Sequence, residues 1–71
     1  MNFGEEKLDA VTTKEEAMTL LKESVKTRDA MGGAMYFNIL NDDCCEIAGK
    51  AKSLGGDHNE IADILGRENF K

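Results

Sequence analysis

The sequence predicts an all-α domain: a helical hairpin of two longer antiparallel helices, closed by a short C-terminal helix and held in an oligomer. Three observations predict it. Proline is absent from all 71 residues and β-branched residues are few, which favours helices over strands. Apolar residues recur at spacings of three and four in two long segments. Glycine pairs at 32–33 and 55–56 end those segments. Length predicts the oligomer, because a domain this small is marginal unless something staples it. Cys44 and Cys45 are adjacent and form no disulfide framework, so association is the remaining staple.

Residues 1–11 read as a flexible N-terminal arm, and residues 12–71 as a single small helical domain. Phe3, Leu8 and Val11 are the arm's only large apolar anchors after Met1, and Gly4 with its charged neighbours loosens it. The first helix starts at Thr12 or Thr13. Thr13 with Glu16 fits a capping box, and so does Thr12 with Glu15. Met18, Leu21 and Val25 then form a stripe widened by Ala17 and Leu20, and the helix runs to about Met31. Gly32 and Gly33 predict a tight turn with a residue at positive φ, against a competing continuous helix.

The second helix, about Ala34 to Leu54, carries the core stripe. Phe37, Leu40, Cys44, Ile47, Ala51 and Leu54 are spaced 3, 4, 3, 4 and 3, an unbroken heptad pattern. Asn41, Asp42 and Asp43 are poor helix formers, so a break there is the alternative. A second apolar line, Met31, Met35 and Ile39 with Tyr36 beside it, lies nearly opposite the first. One helix packs only one side, so these four residues are the predicted dimer or partner interface. The arm folding over them is the competing arrangement. The third helix runs from about His58 to Leu65, with Asp57 and Glu60 as a capping box and Gly66 as its C-cap. Ile61, Ile64 and Leu65 make its apolar edge, and Phe70 can anchor the tail.

No catalytic residue, cofactor or metal site is expected. Cys44 falls on the stripe and reads as a small hydrophobe, while Cys45 reads as the more exposed thiol. His58 is the lone histidine, and no C-x-x-C or H-x-x-x-H spacing accompanies it. The glycine pairs lack the strand context and lysine of a phosphate loop. Asn59 to Gly66 resembles the opening helix and turn glycine of a helix-turn-helix DNA reader. Five residues remain after Gly66, too few for a recognition helix, so the stretch reads as structural.

A net charge of −5 disfavours nucleic acid and anionic membrane surfaces, and Lys22, Lys26 and Arg28 are the only local basic cluster. No apolar run is long enough to span a bilayer, and Met1 to Ala10 lacks the apolar segment of a secretory signal. Two unpaired thiols suit the cytoplasm. These readings combine into an expected non-enzymatic protein that binds another macromolecule as an adaptor, inhibitor or regulator. Its size and acidity match accessory proteins of phages and mobile elements. Its expected partners are a second copy of itself, as a homodimer, and a protein still to be identified. The alternative is an oligomeric, DNA-associated transcription regulator.

Overall fold

A computed structural model describes residues 9–31 and 33–70, with Ala34 and Met35 described by their backbone alone. Phe3 and Leu8 of the predicted arm lie outside the described residues. The described elements are α1 (Lys14–Met31), α2 (Ala34–Ser53), α3 (His58–Leu65) and a 3-10 turn (Arg67–Asn69). All are helical. The two longer helices pack together as a hairpin, and the short third helix packs on both.

Both threonines build the start of α1. The Glu16 amide donates to Thr13 Oγ1 at 3.2 Å, which makes Thr13 the cap. The Glu16 carboxylate accepts from the Thr13 hydroxyl at 3.1 Å and from the Thr12 hydroxyl and amide at 3.0 and 3.4 Å. The returning bond therefore reaches one residue before the cap. The Thr12 hydroxyl, then the Thr12 amide and the Thr13 hydroxyl, hold the Glu16 carboxyl below its usual range. A lowered carboxylate stabilises the fold above its unfolded pKa and loses that effect as pH falls through the folded one.

α1 ends at Met31 and α2 begins at Ala34, so the two are separate helices; Gly33 has no positive φ, and Gly32 lies outside the described residues. Gly33 caps α2 in extended conformation (φ −74°, ψ 158°), and its carbonyl accepts from the Phe37 amide at 2.8 Å. α2 then runs through Asn41, Asp42 and Asp43 without interruption. This is the predicted continuous helix; the alternative, a break there, does not occur because the Asn41 side chain bonds to other segments and does not compete for its own backbone.

α2 ends in a Schellman motif. The Gly56 amide donates to the Ala51 carbonyl at 2.8 Å, and the Gly55 amide to Lys52 at 3.1 Å. Gly55 holds φ +100°, where a side chain would strain the backbone. A Cβ on Gly56 would sit 2.8 Å from the Ala51 oxygen and 3.0 Å from Ile61 Cδ1. This close approach swings the chain into α3. Asp57 caps α3 by accepting from the Asn59 amide at 3.2 Å, while Glu60, the predicted other half of a box, stays exposed.

The core joins Ala17, Met18, Leu20, Leu21 and Val25 of α1 to Cys44, Ile47, Ala48 and Ala51 of α2 and to Ile61 and Leu65 of α3. Val11, the last arm residue, belongs to the same buried cluster. α3 lies along the hairpin and not only across its end. It starts beside Gly56, and its last carbonyl, that of Leu65, accepts from Arg28 near the other end of α1. Phe70 packs back on the core, as its lone aromatic ring in the tail suggested.

Two positions in these helices are not optimal. Ser24 is buried, and its hydroxyl has no hydrogen-bond partner among the described residues. Gly49 sits exposed within α2 with open space where a Cβ would go. Ser24→Ala and Gly49→Ala are each expected to stabilise the protein by roughly 0.5–1 kcal/mol, the first by removing an unpaired buried hydroxyl and the second by restoring helix propensity. Urea denaturation followed by circular dichroism measures both. A lower midpoint for Ser24→Ala would show that the hydroxyl has a partner.

Candidate functional site

Three large apolar side chains remain in solvent at the hairpin's turn. Met31, the last residue of α1, is 65% exposed, Tyr36 64% and Ile39 56%. Tyr36 and Ile39 are three apart on α2 and share a face. Met35, the fourth residue of the predicted interface, has its side chain outside the described residues. The same face of α2 continues into Asp42, Asp43 and Glu46, of which Asp42 and Glu46 are exposed and Asp43 is half-buried. The surface is thus an apolar end followed by an acidic turn.

On the opposite side of α2, Cys44, Ile47 and Ala51 of the predicted stripe are fully buried, and Phe37, Leu40 and Leu54 are half-buried. Asn41 and Ala48 are buried as well. The buried sector is wider than the heptad stripe because α2 has two neighbours. The C-terminal turn sits against Asn41 and Cys45 and extends the covered side in that direction.

Reading by spacing missed the polar centre of the molecule. Arg28 is only 4% exposed. Its Nη1 donates to Asn41 Oδ1 at 2.8 Å and to the Leu65 carbonyl at 2.9 Å. Its Nε and Nη2 both meet Asp29 Oδ1 at 3.0 Å, and its guanidinium lies 4.6 Å from the centroid of the Phe37 ring. Asn41 donates onward to the Asn69 carbonyl at 3.1 Å. One cluster therefore ties α1, α2, α3 and the 3-10 turn together. A signal was present: Arg28 continues the Met18, Leu21, Val25 spacing, and Asn41 lies between Phe37 and Cys44 at spacings of four and three. Burial of Arg28 also reduces the Lys22, Lys26, Arg28 cluster to two exposed lysines.

The two thiols occupy different environments. Burial pushes the Cys44 thiol up to about 11, against a smaller lowering by the Arg28 charge. Cys45 is half-buried and donates to the Asn69 carbonyl at 3.4 Å. His58 is exposed and stacks on Phe70, with centroids 5.0 Å apart. Cys45 and His58 share no hydrogen bond among the described residues. No group of three or more His, Cys, Asp or Glu converges as a metal cluster among the described residues. No described helix is long and apolar enough to cross a membrane. The Asn59–Gly66 stretch is followed by the three-residue turn Arg67–Asn69, docked on α2. No family model, curated protein or solved structure matches the chain.

Two outcomes follow from this arrangement. Asn41→Ala leaves a buried guanidinium short of an acceptor and is expected to cost about 2 kcal/mol in urea unfolding, within the range for hydrogen bonds to charged groups. At pH 8 iodoacetamide is expected to label Cys45 of the folded protein ahead of Cys44. The raised Cys44 pKa stabilises the fold below the unfolded thiol value, and that effect disappears as pH rises through about 11. Stability should fall across that window, with a shallower slope in Cys44→Ala. Equal labelling of both thiols, or identical slopes, would contradict the burial argument.

Proposed function

We propose that this protein is a non-enzymatic binding module, an adaptor, inhibitor or regulator, that works through the apolar end of its hairpin. The carrying observation is the exposure of Met31, Tyr36 and Ile39 together at one turn. Methionine adapts to irregular surfaces, and tyrosine supplies a large, rigid contact with a polar tip. Burying each of these side chains is worth roughly 1.5–3 kcal/mol. The sum is comparable to the roughly 4–15 kcal/mol cost of association. A stable contact therefore extends past these three, onto the Met35 position and the Asp42–Glu46 turn that shares their face.

A second copy can supply the same surface by two-fold symmetry, which agrees with the need of so small a domain for a staple. We assign the face to self-association and to docking on a protein partner. With Arg28 buried, the DNA-associated alternative retains only Lys22 and Lys26 of the basic cluster it rested on.

The double variant Met31→Asp, Ile39→Asp is expected to keep its helical circular dichroism and elute as a monomer in size exclusion with light scattering. Because tryptophan is absent and Tyr36 is the only tyrosine, its fluorescence reports directly on whether this face is covered. Affinity capture with nuclease present, read by mass spectrometry, should return a stoichiometric protein with the parent chain and not with the variant. Unchanged oligomeric mass and unchanged capture in the variant would remove this face from the function.

A further inference from the structure

A second site lies at the far end of the hairpin. Lys52 is about 24 Å from Tyr36 along the axis of α2, at 1.5 Å per residue. A shallow cavity of about 350 Å³ opens there, bounded by Lys52, His58, Ala62, Arg67 and Phe70. We propose that this cavity binds a small organic anion in which a phosphate or similar oxyanion sits beside a planar ring.

Charge placement is the first argument. The chain carries a net −5, yet two of its nine Lys and Arg residues and its only histidine face this one cavity. Lys52 is exposed and has no ion-pair partner among the described residues. The carbonyls that end α2 do not need it. Those of Lys50, Ala51 and Lys52 already accept from the amides of Leu54, Gly55 and Gly56. Arg67 gives one bond to Asp63, from Nη2 at 2.9 Å, and its side chain remains 60% exposed. A guanidinium has five donors, so most of its capacity remains for a ligand. The nearby Asp57 carboxylate is turned to the Asn59 amide, where it caps α3.

Shape is the second argument. The Phe70 ring stacks on His58 with an interplanar angle of 29°, and the pair forms one wall over a floor of buried Ala62. Phe70 is held from behind by its packing on the core. The cavity therefore has two stacked rings in its lining together with two cations. That combination favours a ring with an attached anion over a bare ion or an uncharged ring. Exposed charges contribute modestly, so the expected Kd is on the order of 1 mM or somewhat below, and it weakens with salt.

The test uses the full isotope-labelled chain in NMR titrations with AMP, inorganic phosphate and adenosine as probes. AMP is expected to move the His58, Ala62 and Phe70 signals saturably, phosphate to move the same signals less, and adenosine to leave them unmoved. Lys52→Gln combined with Arg67→Gln should weaken AMP binding by about tenfold, taking roughly threefold for each exposed charge. Lys22→Gln with Lys26→Gln on α1 should not change it. No saturable shift with AMP up to about 10 mM, adenosine binding as well as AMP, or equal loss in the α1 control would each overturn the proposal. The readout is independent of Met31 and Ile39, so it stands apart from the docking face.

Discussion

Arg28 sets the terms on which this chain folds. Moving a guanidinium out of water costs several kcal/mol in an effective protein medium, and an uncompensated one would exceed what a small core can offset. Here the charge enters with its counter-ion, because Asp29 follows it in sequence and lies at the surface with its carboxylate against Nε and Nη2. Both Nη1 bonds then go inward, to Asn41 and to the Leu65 carbonyl. The arrangement leaves the pair neutral, satisfies four donors and covers the guanidinium with the Phe37 ring. Removing any one acceptor leaves the desolvation cost in place.

That constraint explains how a short third helix stays docked. α3 contributes only Ile61, Ala62 and Leu65 as buried residues, too little apolar area to hold an eight-residue helix by burial alone. Its remaining attachments are polar and directional. The Leu65 carbonyl is fixed by Arg28, and the Asn69 carbonyl by Asn41 and Cys45. The Schellman turn at Gly55 and the close approach at Gly56 fix the other end. α3 is therefore pinned at both termini, with its apolar edge filling the space between.

The same residues mark where the sequence was legible and where it was not. Helix limits were readable because they depend on local chemistry: Thr13 and Asp57 accept amide bonds from the next turn, and glycines stand where the chain reverses or takes positive φ. The packed face of α1 was readable from Met18, Leu21 and Val25, although α1 packs on both α2 and α3 and buries Ser24 beside that line. α2 has two neighbours, so Asn41 and Ala48 are buried beside the heptad stripe while Leu40 and Leu54 are only half-covered. Asn41 looked like a helix breaker and Arg28 like a surface cation because their partners are 13 and 37 residues away. Spacing along one helix carries no information about such pairs.

The polar cluster also determines what the hairpin shows to its surroundings. Phe37 is turned toward Arg28. Successive residues on a helix rotate by about 100°, so fixing Phe37 inward carries Ile39 about 200° away from it and places Tyr36 about 100° to one side. The exposure of both is thus a consequence of the contact that buries their neighbour. Met31 is exposed for a different reason: it is the last residue of α1, and no other described helix packs over that end of the hairpin. The α2 part of the apolar end is thus held outward by the Arg28–Phe37 contact. A partner that covers it meets a surface already arranged, which lowers the ordering cost of association.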